Sequence, residues 1–397
     1  MKNYLLISYF FLFVIFTLFS FVLTDPNLIL LKADFFLVFQ NFLWQNVLPL
    51  QNFRTIFFSI LIILIFGNYL LIIRNWAKFG LENRQKFWQF LLLISLPLVF
   101  SYNALSHDLF NYIFNAKMLV TYGANPHLKT ALDFANDPML RFMNNVHTPA
   151  PYGYAWTAIS ILPYLAGLGK FLSTFLMFKL FALFSLFLSL LIAEKISKNN
   201  NYAKLALFFL NPLLLIEVLS SAHNDLWMLS PALLAFYLAS NLENKKAWKI
   251  FFILLLLSFS IAIKYATIAL IPLILYQVFY KKLSKLKITP YLYDLAALAM
   301  FAPLLTERSR FFLPWYLLWA LIFLPFLRSL FLRNLLLVFS LSSLLRYTPW
   351  LYYLPWMSFH LDNSKLFPLQ VLVTWTIPGF YLLLSGLLFL FNRRREK

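Results

Sequence analysis

The chain has 397 residues, of which 62% are hydrophobic and only 12% charged, with 33 Lys and Arg against 14 Asp and Glu. That is more apolar surface than a water-soluble domain can bury, and it specifies an all-α polytopic membrane protein. The net charge of +19 does not indicate nucleic acid, because the basic residues form short clusters between apolar runs, as in loops held at a cytoplasmic face; without cysteine there is no disulfide, thiol nucleophile or thiolate metal site.

In chain order, the first apolar run is "YLLISYFFLFVIFTLFSFVL". It has no small-residue cleavage site after it and reads as an uncleaved span near 5–23. Further spans are expected near 54–73, 88–104, 174–193, 203–219, 225–240, 249–263, 266–280, 290–305, 311–327, 333–347 and 369–391, about twelve in all at roughly 20 residues per crossing. The run 154–168, "YAWTAISILPYLAGL", is apolar but short and contains Pro163. It is expected as an interfacial helix within one long outer loop, 105–172. Most of the 33 basic residues then fall on one face, among them Lys2, Arg74, Arg84, Lys195, Lys198, Lys245, Lys281, Lys282, Lys285, Lys287 and Lys397. A spanning 154–168 would instead carry "EKISKNNNYAK" and "YKKLSKLK" outside, against the positive-inside rule. The expectation is a single domain over 1–397 in the plasma membrane, with both termini cytoplasmic, a basic tail at 392–397, no appended soluble domain and no internal repeat.

Under this topology the polar groups that spans do not need collect at the outer ends. They are His107 and Asp108; Asn125, His127, His147 and Tyr152; His223, Asn224 and Asp225; Lys264; Arg308 and Arg310; and Arg346. Ionisable groups at or inside a bilayer are costly and are functional candidates by default. Lys264 is stranded at a hairpin tip, across the membrane from its basic flanks, as a snorkelling side chain or a phosphate-binding cation. Asp108, Asn111 or Tyr112, and Asn115 recur at helical spacing and share one face. Asp108, Asn224 and Asp225 also suit helix caps. No H-x-x-H or D-x-D spacing marks a metal site, and with 8 Gly there is little room for a nucleotide-cradling loop.

The pattern "SHDLFNYIFNAKMLVTYGANPH…PAPYGYAWTAIS", then "LNPLLLIEVLSSAHNDLWML", "IAIKYATIALIPL" and "FFLPWYLLWAL" is similar to the polyprenol-phosphate-mannose-dependent mannosyltransferases of the GT-C superfamily. The resemblance covers roughly residues 100 to 325, with the four pieces in order. It implies a GT-C type helical bundle whose first long outer loop holds the active site. It also implies transfer of a sugar, mannose, from a polyprenyl-phosphate carrier to a hydroxyl acceptor on a glycan or glycolipid, with Asp108 matching the family's base. The family's Asp-Gly-Arg is "NAKM" here and its Asn-Pro-Tyr is "NPH", departures that bear on acceptor and sugar preference.

The chemistry follows from the residues too. Asp108 is the candidate base for the acceptor hydroxyl. Lys264, Arg308 and Arg310 are the candidate cations for the departing lipid phosphate. His107, Tyr112, Asn125, His127, Tyr152, His223, Asn224 and Asp225 form the candidate substrate-binding set. One base opposite the leaving group implies inversion. No nucleotide or redox cofactor is expected, since the carrier supplies the energy; a divalent metal beside Asp108 stays open. The competing class is a lipid-linked-sugar flippase or secondary transporter, which would place its polar groups near the midplane with paired broken helices.

Overall fold

The structure, a computed structural model, describes residues 3–25, 28, 30–143, 145–197, 201–242, 246–279, 289–306, 311–354 and 363–395. Among them every regular element is helical, which satisfies backbone groups within each segment, as hydrocarbon requires. In chain order the first seven are α1 (Tyr4–Ser20), α2 (Asp34–Asn46), α3 (Gln51–Arg74), α4 (Arg84–Val99), α5 (Asp108–Thr121), α6 (Tyr154–Ala166) and α7 (Phe171–Ile196). Then come α8 (Tyr202–Phe209), α9 (Pro212–Leu215), a π turn (Ile216–Ser220), α10 (Asp225–Ser240), α11 (Ala247–Ile263) and α12 (Ile271–Phe279). The last are α13 (Leu292–Ala299), α14 (Leu318–Leu321), α15 (Leu330–Leu345), α16 (Tyr347–Tyr353) and α17 (Asn363–Arg395).

Most of the apolar segments expected from the sequence lie on these helices; of 311–327 only Leu318–Leu321 is α-helical, the rest being short 3-10 turns and irregular chain. Among the described residues five stretches are long and apolar enough to cross a membrane alone: Tyr4–Leu23, α3, α7, Leu330–Tyr353 and Lys365–Leu388. The bent pair Tyr202–Phe209 and Pro212–Ser220 makes a sixth when counted as one span. The shorter apolar helices have 10–17 residues, which at 1.5 Å per residue is about 15–26 Å against a hydrocarbon core of roughly 30 Å. Large apolar side chains such as Phe11, Ile60, Phe184, Phe251 and Leu383 are exposed around the bundle, a lipid-facing pattern. The segment between the first two spans, read as an outer connection, contains α2, with Phe35, Val38 and Phe42 exposed.

One break in the bundle sets the site. Asn211 accepts from the Leu213 amide at 2.9 Å and Pro212 occupies the first helical position, so α8 ends and the chain restarts at a 52° bend. The carbonyls left without helical partners are taken up laterally: Tyr69 donates to Leu207 O at 2.6 Å and Tyr9 to Leu210 O at 2.5 Å. The restarted helix widens into the π turn, a conformation that is rare and concentrated at functional sites. Lys179 of α7, fully buried, donates to the Leu219 carbonyl at 3.1 Å and to that of Ser220. Ala222 then turns the chain with φ +57°, a left-handed strain a non-glycine residue adopts only when its surroundings impose it.

The polar ends gather opposite the basic ones. Arg84, at the start of α4, pairs with Glu194 at 3.1 Å, and Trp88 and Tyr202 donate to the same carboxylate. The other end of α4, about 24 Å away at 1.5 Å per residue, leads through residues 100–107 into α5 and Asp108.

Candidate active site

The carboxylate of Asp108 projects from the first residue of α5. Its own amide is bonded by Ser106 Oγ at 3.3 Å. The side chain makes no cap; it receives the Tyr152 hydroxyl on Oδ2 at 2.7 Å and faces His223 Nδ1 from the same oxygen at 3.5 Å. Tyr152 is held by a close backbone approach. The next residue, Gly153, donates its amide to Ile263 O at 2.9 Å, and a Cβ there would lie 2.0 Å from Ala262 O. Only glycine fits, and this contact brings the "PAPYG" loop onto the end of α11, beside Lys264.

Lys264 Nζ sits 5.5 Å from the Tyr152 ring centroid and bonds Asp225 Oδ1 at 2.9 Å. Trp319 Nε1 donates to that same oxygen at 2.7 Å. Asp225 therefore holds Lys264 in place and does not cap α10, and Asn224, at the cap position, makes no side-chain cap bond either. His223 stacks on Trp315 at 3.9 Å between centroids, with Nε2 3.3 Å from Glu217 Oε2 in the π turn. Tyr347 donates to Glu217 Oε1 at 2.9 Å. Tyr112 packs edge-on against Tyr152 and Trp156 at 5.0 and 4.9 Å.

Three carboxyls thus meet within one polar cluster, and they differ in access. The Asp108 side chain keeps 16% of its surface, whereas Asp225 and Glu217 keep none. Burial pushes the Asp108 carboxyl above its ordinary value; the Tyr152 bond and Lys264 offset this only in part, and Asp225 adds to it. Burial, reinforced by Lys264 and Lys179, pushes His223 well below the usual imidazole range, so the ring is neutral at physiological pH.

The remaining candidates stand apart from this cluster. His107 Nδ1 contacts Phe142 O at 3.1 Å, and burial lowers its imidazole. Asn125 accepts from the His127 amide at 2.9 Å, a turn within the loop, while His127 Nε2 meets Thr157 Oγ1 at 2.9 Å and its ring stacks on Tyr154, fastening the loop to α6. Arg346 donates to Thr374 at 3.1 Å, joining the α15–α16 junction to α17. Arg308 and Arg310 lie outside the described residues, as do Lys2, Lys198, Lys245, Lys281, Lys282, Lys285, Lys287 and Lys397. A cavity of about 280 Å³ lined by Ile113, Lys117, Met139, Phe142, Tyr164 and Phe171, among others, borders the opposite flank of α5 from Asp108, since positions five and nine residues on point away at 100° per residue. Among the described residues no three His, Asp or Glu side chains converge as a metal site.

Sequence reasoning missed Glu217, Lys179, Trp315, Trp319 and Tyr347. Glu217 and Lys179 did leave a signal, each being a lone ionisable residue inside an apolar run. The two tryptophans lay inside the piece "FFLPWYLLWAL" with nothing to single them out, and Tyr347 left no signal, because their role depends on what they touch.

The family model described as Alpha-(1->6)-mannopyranosyltransferase, N-terminal domain, matches residues 33–279. The chain belongs to this family. The resemblance carried by the four motifs is thereby borne out: this is a membrane mannosyltransferase of the GT-C type. No curated protein and no solved structure matches the chain. Asp108, Tyr152, Glu217, His223, Asp225 and Lys264 all lie within the matched residues, whereas Trp315, Trp319 and Tyr347 lie beyond them. The candidate site thus includes side chains from outside the matched segment.

Proposed function

We propose that the protein transfers mannose from a polyprenyl-phosphate carrier to a hydroxyl of a glycan or glycolipid acceptor, with inversion, at the outer face of the plasma membrane. The observation that carries this reading is the asymmetry of the Asp108 carboxylate. Its hydrogen bond from Tyr152 and its 3.5 Å approach to His223 both fall on Oδ2, which leaves Oδ1 to receive the acceptor proton, and among the three clustered carboxyls it is the one with access. As the acceptor oxygen bonds the anomeric carbon, its proton passes to Asp108 and the carbon–oxygen bond to phosphate breaks, its electron pair going to the phosphate oxygen. Proton removal of this kind contributes roughly 10²- to 10⁴-fold.

Lys264 is the cation for the leaving phosphate; one of its three ammonium donors is committed to Asp225, which leaves the others for the ligand. Arg308 and Arg310 are proposed alongside it on sequence grounds. Attack from the face opposite the phosphate turns a β-linked donor into an α-linked product, in keeping with the alpha-(1->6) linkage in the family description. The site sits at the end of the bundle away from Arg84 and the other basic helix ends, which supports an outer location with cytoplasmic termini. A flippase would favour paired breaks, whereas among the described residues one bent pair is found.

The test uses purified protein in liposomes with labelled polyprenyl-phosphate mannose and a membrane-extract acceptor. Transfer by wild type that disappears in Asp108→Asn, with carrier binding retained, is the expected result. Movement of the carrier across the bilayer with no transfer to any acceptor would hand the site to the flippase reading.

A further inference from the structure

Asp108 does not stand alone. His223 Nδ1 lies 3.5 Å from Asp108 Oδ2, His223 Nε2 lies 3.3 Å from Glu217 Oε2, and Tyr347 donates to Glu217 Oε1 at 2.9 Å. The two members directly behind Asp108 are closed to solvent: the side chains of His223 and Glu217 have no exposed surface. His223, expected from the sequence to bind substrate, is sealed beneath Asp108, with its ring plane fixed by Trp315. The backbone that presents it is special as well. Glu217 sits in the π turn, Ala222 is left-handed, and the His223 amide returns to Glu217 O at 3.0 Å. Strain of this kind at a buried polar group marks a geometry kept for use.

We infer that His223 is a positioning residue for Asp108 and that Glu217, held by Tyr347, fixes the ring in the tautomer whose Nδ1–H points at Asp108 Oδ2. The inference rests on the reading of Asp108 as the base. A neutral imidazole donates from one nitrogen and accepts at the other. Among the described residues neither ring nitrogen of His223 nor Glu217 Oε2 has another hydrogen-bond partner, and each nitrogen approaches one carboxylate. With Nδ1–H turned to Asp108, Nε2 is an acceptor, so the group facing it must donate: the Glu217 carboxyl carries the proton on Oε2 and takes the Tyr347 O–H on Oε1. Asp108 is then the ionised member of the trio. Tyr152, bonded to Oδ2, and His223, 3.5 Å from it, both bear on that oxygen and leave Oδ1 to the acceptor. No proton leaves along the chain; the acceptor's proton stays on Asp108 until product departs. The other charged groups bearing on the trio are Lys264, Asp225 and Lys179. Lys264 and Asp225 are paired with each other, and Lys179 is spent on the Leu219 and Ser220 carbonyls.

The experiment measures kcat, KM and the pH profile of mannosyl transfer for Glu217→Gln, Glu217→Leu, His223→Phe and Tyr347→Phe, with Asp108→Asn alongside. Glutamine keeps a donor toward Nε2, so Glu217→Gln is expected within about threefold of wild-type kcat. Glu217→Leu and His223→Phe are expected to lose roughly 10-fold or more in kcat at unchanged KM. In both, the acid limb moves to higher pH, because ionised Asp108 loses a hydrogen-bond donor. Tyr347→Phe, the mildest change, gives the same shift in smaller measure should a Glu217 variant fail to fold. A Glu217→Gln as impaired as Glu217→Leu, or an acid limb unmoved in His223→Phe, overturns the inference. Full transfer by Asp108→Asn instead removes the base reading on which it rests, so the two failures are distinguishable.

Discussion

On one flank of α5, Asp137 accepts from Lys117, from the Tyr122 hydroxyl at 2.7 Å and from the Met139 amide at 2.9 Å. On the other, Asp108 accepts from Tyr152 at 2.7 Å and meets a neutral histidine. Both are acids beside a tyrosine and within reach of a lysine, yet their carboxyls are shifted in opposite directions. Burial works to raise the Asp137 carboxyl, but the bonds from Lys117, Tyr122 and Met139 outweigh it and hold it below the ordinary value. At Asp108 burial wins and the carboxyl is raised, because Lys264 is bonded to Asp225 and not to it. An acid with both oxygens engaged fastens a loop. An acid with one free oxygen and a raised pKa is suited to accept a proton from substrate.

The largest expected effect is on the Asp108 flank. Rates measured against pH should show an acid limb above the ordinary carboxylate range: activity is present while Asp108 is ionised and falls as the pH drops through its raised value. In Asp108→Asn that limb should vanish together with roughly 10²- to 10⁴-fold of the transfer rate; a mutant keeping both rate and limb would remove Asp108 from the chemistry.

Next comes the cation that Asp108 does not own. Lys264→Met leaves the Asp225 carboxylate buried and unpaired, at a cost of about 3–5 kcal/mol, to be read as a lower denaturation midpoint in detergent. Adding Asp225→Asn should restore most of that stability, since Trp319 still has an oxygen to bond, while transfer stays low for want of the phosphate cation. Recovery of transfer in the double mutant would make Lys264 a purely structural partner of Asp225.

Lys117→Met sharpens the comparison from the other flank. It should cost about 1.5–3 kcal/mol, the range for a hydrogen bond to a charged group, and leave kcat near wild type. The Asp137 carboxyl is shifted the opposite way to Asp108, so its contribution is lost at lower pH. A carboxyl lowered in the folded state stabilises above its unfolded value and gives that stability up as pH falls through its folded one. The Lys117→Met midpoint should accordingly converge on wild type in strong acid. A collapse of kcat with stability intact would place Lys117 in the site.

The smallest effect concerns the turn that presents His223. Ala222→Gly relieves a left-handed conformation worth about 1–2 kcal/mol in a residue with a Cβ, offset by the extra unfolded-state freedom of glycine. Melting should rise slightly or hold, whereas Ala222→Val should lower it. A valine variant as stable as wild type would mean that the turn is not strained.

The sequence by itself determined that the chain is helical and membrane-embedded, where its apolar segments lie, and that Asp108, Tyr152, His223, Asp225 and Lys264 are the polar residues to watch. Hydropathy and periodicity are local properties, and each of those conclusions needs only a local property. Tertiary structure alone decided which groups meet: that Lys264 is bonded to Asp225, that Glu217 and Tyr347 stand behind His223, and that His127 fastens α6. Such pairings depend on a 52° bend, on the rotation introduced by one π turn, and on a glycine that lets two backbones touch. Each brings together side chains from different helices, and no spacing along the chain records which helices will be neighbours.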